Sequence, residues 1–155
     1  MPTKQVFAYD SMPHPVGATG STGPAATPVV LAVKGAATSP ALNTVTFISV
    51  VAGGTTVVTP DIGTVLALSF TAIAIWQAGQ INTVVQYEFY VDGVSTGPIY
   101  AISNPTASAY QGSIAIQTSV SGLSAGSHNI DVQAITDAPG VINSAFNFLT
   151  VLGVG

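Results

Sequence analysis

Residues 64–76 read Thr-Val-Leu-Ala-Leu-Ser-Phe-Thr-Ala-Ile-Ala-Ile-Trp. Leu66, Leu68 and Phe70 fall on one alternating set of positions, and Ile73 and Ile75 fall on the other. Successive side chains of a strand point to opposite faces, so this is a strand apolar on both sides. The run is too short for a transmembrane helix of about 20 residues, and its β-branched content favours a strand. An antiparallel strand of this kind is either central and covered or packed against another subunit.

On both sides of this run the chain is a series of similar segments. Strands are expected at 29–33, 45–52, 55–59, 83–91, 99–102, 113–120, 128–135 and 145–152. Between them stand Gly35, Gly53 and Gly54, Pro60 and Asp61, Gly79, Asp92 and Gly93, Asn104 and Pro105, Gly122, Gly126, and Pro139 and Gly140. No segment carries a 3.6-residue period. Short strands at regular spacing imply a sandwich or a closed barrel. The sequence predicts an all-β protein, an antiparallel jelly-roll-like β-sandwich of about 8–9 strands.

The faces can be assigned by alternation. Ile130, Val132 and Ala134 face inward, against Asn129, Asp131 and Gln133. Tyr87, Phe89 and Val91 oppose Gln86, Glu88 and Tyr90. Ile114, Ile116 and Val120 oppose Ser113, Gln117 and Ser119. The segment 145–152 breaks the rule as 64–76 does, with Phe146, Phe148 and Leu152 set against Leu149 and Val151. Core burial accounts for one doubly apolar strand. A second one, near the C-terminus, favours an oligomer.

Residues 1–28 have a different character. Pro2, Pro13, Pro15, Pro24 and Pro28 alternate with Gly17, Gly20 and Gly23, which gives an extended arm without a helix signal. The segment 17–25 has three collagen-type triplets, too few for a triple helix, and Ala26 ends the period. Within the arm, 6–9 (Val-Phe-Ala-Tyr) suits one short strand. The division expected is an arm over 1–28 and a sandwich over 29–155. An arm this polar and Gly-rich does not fold alone, so it is expected to be held by a neighbouring subunit.

Charge sharpens the picture. Only 5% of the 155 residues are charged against 48% hydrophobic, with two Lys, no Arg and six acids giving a net charge of −4. A typical soluble domain carries about 25% charged residues. Binding to a phosphate backbone needs clustered bases and is excluded. With no Cys, a disulfide framework or a Cys-ligated zinc site is excluded as well. A surface of Ser, Thr, Asn, Gln, Ala and Gly can be buried against other copies at small desolvation cost. It also leaves trypsin only Lys4 and Lys34. The N-terminal MPTKQVFAYD has no apolar h-region, so no signal peptide is expected and no membrane insertion. Asn104-Pro105-Thr106 has Pro in the middle and is no glycosylation sequon. Synthesis and assembly in a cytoplasm, or release by lysis, is the expectation.

The order of these signals resembles the C1q/TNF-like jelly rolls, trimeric heads that cap collagen-like stalks, spore-surface filaments and phage fibres. The residues that carry the likeness start with 63–72 (GTVLALSFTA) and 87–94 (YEFYVDGV). They continue with 121–133 (SGLSAGSHNIDVQ) and 145–152 (AFNFLTVL). The stretch from Leu123 to Ala134 is also similar to β-rich phage structural proteins. Ser127 departs from the family's usual Asp, and Val65 from its usual aromatic. The resemblance implies a structural or binding module with no catalytic residues to carry over.

Chemistry finds little to build on. His128 and Asp131 lie three apart on one strand and point to opposite faces, and no G-x-S-x-G elbow occurs. Glu88 and Asp92 are neighbours only along a hairpin, which is poor ground for a paired-carboxylate hydrolase. His14, between two prolines, reads as a solvated or interface residue. Asp61, Asp92 and Asp137 sit in turns, where carboxylates can ligate calcium, but Asp is also an ordinary turn former. No cofactor and no metal are expected. Trp76, Tyr90, Tyr100 and Tyr110 could stack on sugar rings; core or subunit packing is the plainer use.

The expectation is a non-enzymatic, self-assembling structural protein at a virion surface, a phage decoration or fibre protein. The alternatives are a subunit of an extracellular or spore-surface filament, and a carbohydrate-binding module or receptor-binding fibre tip. Its main partner is itself, as a trimer or larger assembly, together with a capsid or fibre protein. The contacts expected are Val6, Phe7 and Tyr9 in the arm, Phe70, Ile73, Ile75 and Trp76 on 64–76, and Phe146, Phe148, Leu149, Val151 and Leu152 on 145–152. The arm, by 5–9, adds a strand to a neighbour's sheet edge and so covers it.

Overall fold

Alternating side chains oblige each strand to bury one face, and two sheets stacked face to face meet that need. The computed structural model describes residues 28–36, 41–42, 46–51, 55–61, 63–137 and 143–155. Ten strands run through them. They are β1 (Val29–Ala36), β2 (Ile48–Ser49), β3 (Thr56–Val58), β4 (Val65–Trp76), β5 (Val84–Val91), β6 (Val94–Ser95), β7 (Tyr100–Ser103), β8 (Tyr110–Val120), β9 (His128–Thr136) and β10 (Asn143–Val154). No helix among the described residues is long and apolar enough to cross a membrane.

One sheet has the order β1-β10-β4-β8. The other has β2-β9-β5-β6, with β3 also on β9 and β7 also on β5. The short strands β2 and β3 thus share one flank of β9, and β6 and β7 share one flank of β5. All pairings are antiparallel. Apart from the links β2–β3, β5–β6 and β6–β7, every connection crosses from one sheet to the other. This strand order is the double Greek key of a jelly roll. The all-β antiparallel sandwich expected from the sequence is the fold found.

The core lies between the sheets, and the assigned faces hold. Leu66, Leu68, Phe70, Ala72, Ala74 and Trp76 of β4 meet Val85, Tyr87, Phe89, Ile130, Val132 and Ala134 of the facing sheet, all buried. The Phe70 and Tyr87 rings sit 5.8 Å apart. At the β5–β6 hairpin, Val91 pairs with Val94 across the two-residue turn of Asp92 (φ 52) and Gly93 (φ 79). Two positive φ angles suit the tight hairpin turn that an Asp-Gly pair favours.

Strand β1 runs three residues past the expected 29–33, β10 extends the expected 145–152 at both ends, and three larger differences concern β2, β8 and β6. The expected strand 45–52 contracts to β2, and Val50 beyond it still donates its N–H to the Val132 carbonyl at 2.9 Å. Strand β8 starts at Tyr110 and runs through Gly112. That glycine lies opposite Ala74, in a space filled by Ile102, Trp76 and Tyr110. Strand β6 is an addition, too short for a hydrophobic pattern to reveal.

Candidate functional site

The outer face of the β1-β10-β4-β8 sheet is where exposed apolar side chains gather. Strand β10 is irregular there. Ala145 pairs with Ile73 and Phe148 with Thr71, so two residues of β10 stand opposite one of β4. Bulges re-aim side chains. On the inner side Ser144 and Asn147 are buried and bound to each other. Ser144 Oγ is 2.6 Å from Asn147 Oδ1, and Asn147 Nδ2 donates to the Ser144 carbonyl at 3.2 Å. Tyr87 Oη, reaching across from the other sheet, lies 3.2 Å from Ser144 Oγ. Burial pushes the Tyr87 phenol up to about 12.

Pinned from within, the bulge turns Phe146 outward with 66% of its surface exposed and φ at 51°. The left-handed region costs a residue with a Cβ about 1–2 kcal/mol. Phe148, 47% exposed, lies over Gly35 of the neighbouring strand; a Cβ on Gly35 would come within 3.0 Å of its ring. Val30 and Val33 of β1 are exposed on the same face, and Ile73, Ile75 and Leu152 are half-buried there. Strand β8 contributes the exposed Gln111, Ser113, Ala115, Gln117 and Ser119. Lys34 is the only charged residue in the four strands, and it pairs in register with the inward Leu149. The face therefore has a large-residue side on β1, β10 and β4 and a small, uncharged side on β8. Two shallow depressions cross it. One is lined by Ala67, Ser69, Gln117, Ser119 and Leu152, the other by Thr71, Ile73, Ser113, Ala115 and Phe146.

The structure divides the contact residues read from sequence into three groups. Phe146, Phe148, Ile73, Ile75 and Leu152 lie together on this outer face. Phe70, Trp76, Leu149 and Val151 point inward and are at most 1% exposed, so they serve the chain's own core. Val6, Phe7 and Tyr9, with the arm as far as residue 27, lie outside the described residues. Sequence reasoning missed Val30 and Val33. The Val-Val-x-x-Val spacing of β1 was the available signal, but a bulge between Val30 and Ala32 hides its alternation.

The other candidates take different roles. His128 pairs with Asp92, not Asp131: its Nδ1 is 2.7 Å from Asp92 Oδ2 and its Nε2 is 3.0 Å from the Ser124 carbonyl. Neither ring nitrogen is left for activating a serine. Asp131 faces outward as its parity requires, yet it is only 4% exposed; Ser49 Oγ donates to it at 2.6 Å and Gln133 Nε2 at 3.0 Å. Glu88 accepts from Tyr90 Oη at 3.0 Å and from Ser95 Oγ. Asp92 also accepts the Asn129 N–H at 2.8 Å, and Asp137 accepts the Val84 N–H at 2.6 Å. Each carboxylate thus takes the N–H of a residue on another strand, Asp92 on β9 and Asp137 on β5. No three acidic or His side chains converge among the described residues. Of the aromatics considered for sugar stacking, Trp76 is buried beside Tyr110 at 5.7 Å, and Tyr100 Oη donates to the Gln117 carbonyl at 2.5 Å.

No protein-family profile and no curated protein matches the chain. Among solved structures it is similar to a chain of the infectious bursal disease virus Gx strain, at 13% identity and a TM-score of 0.49, over 83% of this chain and 33% of that one. It is also similar to dimeric latent PorU from Porphyromonas gingivalis, at 14% identity and a TM-score of 0.40, over 88% of this chain and 14% of that one. This chain spans well under half the length of either. Of the resemblance to C1q/TNF-like heads, the jelly-roll sandwich is what stands.

Proposed function

We propose that this protein is a non-enzymatic subunit of a protein assembly built from its own copies, a decoration or fibre protein of a virion. The outer face of the β1-β10-β4-β8 sheet carries the reading. Phe146 and Phe148 stand exposed there beside Val30 and Val33, on four strands with a single charged residue. Contiguous exposed apolar surface marks an interaction site. A face without charge meets a second copy of itself without like-charge repulsion, whereas it gives an acidic or basic partner nothing to pair with. Jelly rolls include viral capsid domains, so the fold agrees with the setting, while the function rests on the surface. The arm over 1–28 extends the assembly by adding a strand to a neighbour.

Light scattering on the full chain tests this. The expected species is an oligomer of three or more copies, well above the 15.5 kDa of one chain. Phe148→Asp and Val33→Asp, both at exposed positions, reduce it to folded single subunits. Removal of residues 1–28 leaves folded heads that no longer join the larger assembly. A 15.5 kDa wild-type particle at working concentration would overturn the proposal.

A further inference from the structure

At one end of the sandwich, away from the face just described, His128 and Asp92 form the single ion pair among the described residues. The imidazole of His128 is only 9% exposed, and both of its nitrogens meet acceptors. Nε2 lies 3.0 Å from the Ser124 carbonyl oxygen, which can only accept. Nδ1 lies 2.7 Å from Asp92 Oδ2. The other carboxylate oxygen, Oδ1, takes the Asn129 N–H at 2.8 Å, and a carboxylate accepting such bonds stays ionised. Two acceptors facing two ring nitrogens require two N–H groups, and only the imidazolium has both.

The geometry points to a pH-operated clasp: protonated His128 ties the turn at Asp92 and Gly93 to the β8–β9 connection at Ser124, and loss of one proton frees that connection. The proton that remains stays on Nδ1, opposite the carboxylate. Nε2 then turns a lone pair toward the Ser124 carbonyl, so that contact becomes repulsive. The connection bears Leu123, which packs against the core, and Ser121. With Val91, Val94 and Ser95 of the β5–β6 hairpin these two line a shallow groove. Deprotonation releases one wall of that groove, and the sheets are unaffected.

Asp92 is the charged group facing the imidazole. The Ser124 carbonyl on the other ring nitrogen, and the Asn129 N–H on the carboxylate, carry no charge. The hydrogen bond with Asp92, then the one with the Ser124 carbonyl, hold His128 above its ordinary 6.5. The hydrogen bond with His128, then the Asn129 N–H, hold Asp92 below its ordinary 3.8. A raised His contributes stability fully below 6.5 and loses it as pH rises through its folded value. A lowered Asp contributes fully above 3.8 and loses it as pH falls through its own folded value. The clasp is therefore complete between 3.8 and 6.5 and opens on the alkaline side.

The test is an NMR titration of the full chain carrying His14→Gln, so that one imidazole titrates, with backbone relaxation followed over 121–127. His128 is expected to titrate above 6.5. The amides of 121–127 gain mobility over the same pH interval, while those of β4 do not. In Asp92→Asn the titration falls back toward 6.5, and 121–127 no longer gains mobility as pH rises, because an amide can donate to Nδ1 and leave the ring's one proton on Nε2 for the Ser124 carbonyl. Titration at or below 6.5 in the His14→Gln chain overturns the clasp, and so does titration above it without a mobility change in 121–127. If Asp92→Asn does not fold, those two readings decide alone.

Discussion

Phe146 is the residue that ties backbone to surface. It occupies the left-handed region at φ 51° while most of its side chain faces solvent. Strain of this kind persists where the surroundings enforce it, and here Ser144, Asn147 and Tyr87 do so from the inner side. Asn tolerates left-handed backbone better than Phe, through local hydrogen bonds. Phe146→Asn is therefore expected to raise the stability of the isolated subunit by about 1 kcal/mol, because it removes about that much strain. The same substitution weakens self-association, because it removes an exposed aromatic anchor. Urea denaturation read beside light scattering checks both. A subunit made less stable by the change would show that Phe146 serves the fold. The sequence showed that Phe146 and Phe148 share a parity opposite Leu149 and Val151. It could not show the bulge, since that depends on which residue of β4 each residue of β10 meets. For the same reason the partner of His128 was legible only in the structure: Asp92 lies 36 positions away and approaches through the pairing of β5 with β9.

Strands β4 and β8 illustrate what alternation conveys and what it leaves open. The parity of β4 separated Leu66, Leu68 and Phe70 from Ile73 and Ile75, but only the sandwich shows that the first set faces inward. Parity also assigned β8 correctly from Ser113 onward, but the expected strand began only after Gly112, a residue type that weakens a strand. In the sandwich it lies within β8, and its missing side chain leaves room for three others. A Cβ there would meet Ile102 Cδ1 at 2.7 Å, Trp76 Cζ3 at 3.2 Å and Tyr110 Cε1 at 3.2 Å. Gly112→Val is expected to cost about 1–3 kcal/mol through overpacking, measured as a lower denaturation midpoint with an unchanged slope. An unchanged midpoint would mean that Ile102 moves aside freely. Strand β10 lies between β1 and β4, so the two doubly apolar strands are direct neighbours. Their outward residues form one patch, which neither strand alone could have announced.

At the scale of the whole molecule, the scarcity of charge acquires a location. Two bases and six acids serve 155 residues. Asp92 and Asp137 accept N–H groups of β9 and β5, Asp131 and Glu88 are buried under neutral donors, and the four strands of the outer face keep one Lys. An interface of this kind has almost no ion pairs to screen. Self-association is therefore expected to change less than twofold between about 0.05 and 0.5 M salt, a range over which the Debye length contracts severalfold. Sedimentation at the two salt concentrations measures it, and a marked weakening at high salt would place the contact on charged groups elsewhere. The sequence by itself determined the all-β class, the antiparallel sandwich and the inward sets of β5, β8 and β9, because those follow from a two-residue period that local composition encodes. Only the tertiary structure decided which apolar residues are core and which are surface on the doubly apolar strands, and which acid holds His128. Those outcomes depend on strand order, register and a bulge, and these are fixed by contacts between residues far apart in the chain.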